Sequence, residues 1–125
     1  MEVKRRILMG THVLSAGYYE AYYARALRVR EAVRKGMLQA LDACDALLAP
    51  VAPDTAPLLG AHAEQPEEMY RSDIMTVPAN LAGLPAVSVP FGKDENGLPV
   101  GIQLIGGMMQ EKTLLNIGML LEGGR

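Results

Sequence analysis

The sequence predicts an α/β layer structure whose sheet is incomplete, and three observations carry that reading. Segments of helical and strand period follow one another in the order helix, helix, strand, helix, strand, strand, helix. The strand-type runs Asp45–Ala49, Ala86–Val89 and Val100–Ile105 are apolar almost throughout. Strands of that kind need helices on both faces and neighbours on both edges, which three strands cannot supply for one another. The expected fold class is a mixed sheet flanked by helices, incomplete as an isolated domain.

The elements follow in order. From Glu2 to Ser15 the residues Val3, Ile7, Leu8, Val13 and Leu14 recur near helical spacing, with Gly10-Thr11 as a weak point. Ser15-Ala16-Gly17 stops that helix and starts another. From Tyr18 to Cys44 one apolar stripe holds Tyr19, Tyr22, Tyr23, Ala26, Val29, Val33, Met37 and Leu41, and Arg25, Arg28, Glu31, Lys35 and Asp42 fall outside it. Glu31 and Lys35 stand four apart in the order that favours an ion pair on an exposed helix. Asp45–Ala49 is short enough to be a buried strand. Residues 50–66 contain four prolines and Gly60, and read as an irregular connection. Glu67–Tyr70 reads as a helical turn, and Ser72 or Asp73 can cap a helix beginning at Ile74. Ala86–Val89 and Val100–Ile105, joined by a short polar stretch from Gly92 to Pro99, read as a hairpin. Gln110–Glu122 closes the chain with a helix that ends at Gly123-Gly124.

Composition narrows the function classes. A chain of 125 residues holds one domain at most, and half of its residues are apolar against 21% charged, so it is not of the disordered kind. No apolar run approaches the ~18 residues that span a bilayer. A net charge of −2 gives no field to gather nucleic acid. The single Cys44 can make no internal disulfide and suits a reducing compartment, so the cytoplasm is the expected location.

The residues alone disclose little chemistry. None of the three serines, Ser15, Ser72 and Ser88, sits in a spacing that activates a hydroxyl. Cys44 ends an apolar stripe, so a packed thiol outweighs a reactive one. His12 and His62 lie far apart and lack a third metal ligand. Tyr18, Tyr19, Tyr22 and Tyr23 read as core and rim rather than a stacking platform, and Arg25, Arg28 and Lys35 as a solvated face. Gly106-Gly107 lacks the spacing and the lysine of a phosphate loop. Two candidates remain. Arg5-Arg6 can clamp a carboxylate through the planar guanidinium fork or simply face solvent. Asp73 can hold an ammonium group or cap the helix that follows it.

Beyond composition and spacing, the chain resembles a family. Val3-Lys-Arg-Arg-Ile, Gly10-Thr, Leu14-Ser-Ala-Gly-Tyr-Tyr-Glu-Ala-Tyr-Tyr, Met69-Tyr-Arg-Ser-Asp, Thr76-Val-Pro-Ala-Asn-Leu-Ala-Gly-Leu-Pro-Ala-Val-Ser-Val-Pro and Gly97-Leu-Pro-Val-Gly-Ile-Gln-Leu-Ile-Gly look like the C-terminal part of amidase-signature enzymes. The Arg-Arg-Ile and Tyr-Tyr-Glu-Ala-Tyr-Tyr blocks are similar, more narrowly, to the A-subunit family of the glutamyl-tRNA(Gln)/aspartyl-tRNA(Asn) amidotransferases. The resemblance implies a glutaminase that passes ammonia to a partner amidating mischarged tRNA. It implies the B and C subunits as partners, tRNA contacted mainly through the partner, and ATP and Mg on the partner with no cofactor in this chain. The family's nucleophilic serine, second serine and lysine belong to an upstream segment that nothing here matches. Its glutamine-holding arginine and aspartate align with Arg6 and Asp73, so the resemblance implies that these two bind substrate. It also implies that the chain is a piece of a longer one and inactive by itself. A fragment of another amidase acting on a different small amide, or a non-catalytic piece docking on a partner, are the alternatives.

Overall fold

A computed structural model describes residues 2–15, 17–61 and 66–123. Helix α1 (Glu2–Val13) runs through Gly10 without a break, and the Thr11 hydroxyl donates to the Ile7 carbonyl at 2.9 Å. It stops where expected: the Ser15 hydroxyl donates to the His12 carbonyl at 2.6 Å, and Gly17 takes the left-handed φ of 87° that a side chain disfavours. The long helix expected from Tyr18 to Cys44 is divided. A π-helical turn, Tyr19–Tyr23, precedes α2 (Ala24–Leu41). Across it Tyr18 stacks on Tyr22 and Tyr19 tilts against Tyr23, with centroids 5.7 and 5.0 Å apart. Tyr18, Tyr19 and Tyr22 are exposed, so the tyrosines pack mainly on each other and are not core.

Helix α2 ends three residues short of Cys44, and this corrects the reading of that thiol. Once the helix stops, its stripe no longer dictates where Cys44 points. The residue is exposed, its Sγ donating to the Ala40 carbonyl at 3.4 Å. Among the described residues no ion pair joins Glu31 to Lys35, although both lie on α2.

Strand β1 (Leu47–Pro50) is followed by residues 51–61, which hold no helix or strand. Then come α3 (Pro66–Ser72), α4 (Val77–Ala82), β2 (Ala86–Lys93), β3 (Pro99–Ile105) and α5 (Glu111–Gly123). The expected helix start at Ile74 moves to Val77, with Pro78 in its first turn. Asp73 caps nothing with its carboxylate. Its carbonyl accepts from the Thr76 and Val77 amides at 3.1 and 3.0 Å, folding residues 73–76 into a turn.

The sheet order is β1-β3-β2 and both pairings are antiparallel, with Ile105 of β3 between Leu47 and Ala86. Alternation along β3 gives each face its own layer. Ile102 and Leu104 share a face with Val89, and α5 covers it. Gly118 permits that approach, because a Cβ there would lie 3.1 Å from a Val89 methyl. On the other face Ile105 packs with Ala79, Ala82 and Leu84, and Met37, Leu38, Leu41 and Leu47 lean against them.

Arginines secure this second layer. Arg30 and Arg34, one turn apart on α2, donate to the Leu81 and Ala82 carbonyls at 2.9 and 2.8 Å. Those carbonyls lie at the C-terminus of α4, where helical acceptors have no intrahelical donor and the dipole favours cations. Much apolar surface nevertheless stays open: Val3, Ile7, Leu8 and Met9 on α1, Leu48 on β1, and Leu115, Met119 and Leu120 on α5 are all exposed.

The expected hairpin forms, and its strands run deeper into the connector than Val89 and Val100. The register shifts at a bulge between Pro90 and Gly92, directly after the proline that cannot donate to the ladder. The turn is built on Asp94, whose carboxylate accepts from the amides of Asn96 and Leu98, both at 2.8 Å, and from the Thr55 hydroxyl at 2.9 Å. The Leu98 amide is the largest cause holding its pKa below the ordinary 3.8. Partial burial opposes this, and Thr55 and Asn96 add to the lowering. A carboxyl lowered on folding contributes stability above its unfolded value and loses it as pH falls through the folded one. Amide exchange protection at Asn96 and Leu98 is therefore expected to fall below pH 3.8 while the β2–β3 ladder stays protected. Asp94→Asn should show the same loss at neutral pH, and protection unchanged by either would refute the role.

Candidate functional site

Helices α1 and α3 meet at Tyr70. Arg5 donates through Nη2 to the Tyr70 hydroxyl at 2.6 Å, and its guanidinium carbon lies 5.4 Å from the ring centroid. The guanidinium of Arg6 lies at 5.4 Å from the same centroid, within the ~6 Å over which a ring face attracts a cation. Two guanidinium groups thus lie beside one phenol ring, where helix α1 approaches α3.

Asp73 follows one turn later, its amide donating to the Tyr70 carbonyl at 3.3 Å. Both Arg6 and Asp73 are exposed, and among the described residues the Asp73 carboxylate has no hydrogen-bond partner. Tyr70 thus touches the Arg6 side chain and, through its own backbone, the Asp73 segment. An arginine fork and a carboxylate borne by adjoining segments offer complementary charges to a zwitterion.

Beside this junction a cavity of about 740 Å³ opens between the Val51–Pro57 stretch, the Glu68, Arg71 and Ser72 side of α3, and Asp94 and Gly101. Arg71 and Glu68 pair across its wall at 3.4 Å. Ser72 lines it, whereas Arg6 and Asp73 stand outside. The turn carrying Asp73 is tied to the sheet by Gln103, 3% exposed, whose side-chain amide donates to the carbonyls of Met75 at 2.7 Å and Pro50 at 2.8 Å.

The other candidates are scattered. The Ser15 hydroxyl is committed to a carbonyl, and Ser88 pairs across the ladder with Gln103, its hydroxyl facing Gly101. His12 rests against the Tyr18 ring at 4.3 Å, and His62 lies outside the described residues. Among the described residues no three His, Cys, Asp or Glu side chains come together as a metal site, and no helix is long and apolar enough to cross a membrane. Sequence reasoning missed Tyr70 and Gln103. A buried glutamine within an otherwise apolar strand is a signal that could have been used for the second. Nothing local marks the first, whose partners lie 64 and 65 positions away.

The architecture, a three-stranded sheet between helical layers, is shared with a solved amidase. The Amidase family model matches residues 1–115, and the chain belongs to that family. Within it, the chain is similar to the A subunit of the glutamyl-tRNA(Gln) amidotransferase of Lachnospira eligens, 52% identical over 124 residues, 99% of this chain and 26% of that one. The solved A subunit of the Thermotoga maritima glutamyl-tRNA(Gln) amidotransferase is 48% identical, with a TM-score of 0.72 over 90% of this chain and 25% of that one. A crystal structure described as an amidase matches with a TM-score of 0.77 at 32% identity, over 98% of this chain and 28% of its own. The chain spans about a quarter of the length of the curated relatives it matches.

Proposed function

We propose that this chain is the glutamine-recognition part of the A subunit of a tRNA-dependent amidotransferase, with Arg6 holding the α-carboxylate and Asp73 the α-ammonium of glutamine. What supports it most is the 52% identity to such an A subunit over 99% of the chain. The side-chain amide of glutamine then points away from both charges, toward a serine nucleophile supplied by another segment with its second serine and lysine. Water completes the hydrolysis to glutamate, and the released ammonia passes to the B and C subunits of the complex. The partner subunits would hold the ATP and Mg that activation of Glu-tRNA(Gln) or Asp-tRNA(Asn) needs, and the assembly works in the cytoplasm. Nothing in this division of labour requires a cofactor on this chain.

The purified 125-residue chain is expected to hydrolyse no glutamine above a blank, and the complete subunit to do so readily. Turnover by the chain alone overturns the assignment of the nucleophile to another segment. The match to a solved amidase favours a second reading, an amidase acting on another small amide. A complete protein that cleaves simple amides and leaves glutamine intact would establish it.

A further inference from the structure

We infer that Tyr70 is a positioning residue for this amino-acid site, setting the Arg6 guanidinium with its ring and the Asp73 segment with its backbone. The inference rests on the reading of Arg6 and Asp73 as the glutamine clamp and adds a residue to it. Burial does not explain Tyr70, which is 40% exposed. Its contacts do. Arg6 projects from a helix that leaves Val3, Ile7 and Leu8 open to solvent, and the Tyr70 ring at 5.4 Å gives the guanidinium a defined place. Arg5 fixes that ring in turn, through the 2.6 Å hydrogen bond to its hydroxyl. On the same residue the backbone carbonyl accepts from the Asp73 amide at 3.3 Å.

One tyrosine therefore connects the cationic and the anionic halves of the site, and its ring face carries the larger share. A ring attracts a cation through the negative potential over its face, which phenylalanine retains and leucine lacks. A group that only orients a binding residue changes the affinity for substrate and leaves the chemical step alone.

The test uses the complete subunit to which, on the glutamine-clamp reading, this chain belongs. Tyr70→Leu is expected to raise the glutamine KM about tenfold with kcat within about twofold, and Tyr70→Phe to stay within about threefold of the parent KM. Phenylalanines carrying one to four ring fluorines, placed at position 70, drain the ring face while preserving its shape. They should raise KM stepwise at constant melting temperature, which keeps the test decisive if the leucine variant does not fold. A flat KM across the fluorine series, with Arg6→Ala still raising it, overturns the positioning role and spares the clamp. An Arg6→Ala variant with the parent KM removes the clamp itself, and the inference with it.

Discussion

Exchanging Arg6 for alanine in the complete subunit is expected to raise the glutamine KM about a hundredfold and to leave kcat nearly unchanged. Removing one partner of a charged, hydrogen-bonded contact costs about 2–5 kcal/mol, and each ~1.4 kcal/mol is tenfold in affinity. Arg6 is exposed in this chain, so the lower half of that range applies. The carboxylate it holds is remote from the scissile amide and keeps its charge throughout, so ground state and transition state lose equally and the loss appears in KM. Arg6→Lys should recover only part of the binding, because an ammonium restores charge without the fork. Asp73→Asn should match the arginine variant, since it keeps shape and removes the charge facing the ammonium. Glutamine kinetics identical to the parent in Arg6→Ala and Asp73→Asn would sink both roles.

The second large effect concerns stability. Gln103→Leu preserves volume but strips the donor from the carbonyls of Pro50 and Met75, in a place where the side chain is 3% exposed. An acceptor left without its donor costs about 1–3 kcal/mol when buried; Pro50 is exposed and Met75 half-buried, so the lower end applies to each, and the two together should lower stability by about 2–3 kcal/mol and Tm by roughly 10 °C. Differential scanning calorimetry on the purified chain measures it. A Tm within about 2 °C of the parent would show that water replaces the amide, and would remove Gln103 as the tie between the sheet and the turn bearing Asp73.

Where short-range chemistry governs, the sequence was readable. Pro85 marked the start of β2, although the strand runs on through Pro90 to Lys93; Gly17 marked the end of α1, and the polar stretch before Pro99 marked the hairpin. Helical period correctly placed α2 but overshot its end, because a stripe says which face is apolar and not where the last hydrogen bond falls. It also read the tyrosines as core and rim, whereas Tyr18, Tyr19 and Tyr22 are exposed and their rings pair four residues apart at the surface. The arginines divided the same way. Arg25, Arg28 and Lys35 were read as a solvated face, while Arg30 and Arg34 went unremarked, although they close α4 from 51 and 48 residues away. Asp73 looked like a cap because a carboxylate before a helix commonly is one, and the helix begins at Val77 instead. Arg6 and Asp73 came from family resemblance. The contact that draws their segments together, through Tyr70, is long-range and left no local trace.

The sheet order has a consequence for synthesis. The central strand β3 is the last of the three to be made, so Leu47–Pro50 leaves the ribosome about fifty residues before Ile102–Ile105 can pair with it. At roughly 5–20 residues per second that is several seconds in which β1 waits for β3. The hairpin pairs through the short Asp94–Leu98 turn, whereas β1 reaches β3 only across a long loop, the pairing with the larger closure cost. Its four residues are few, and Pro50 withholds a donor from one end. Both properties make a waiting strand a poor template for a neighbouring nascent chain.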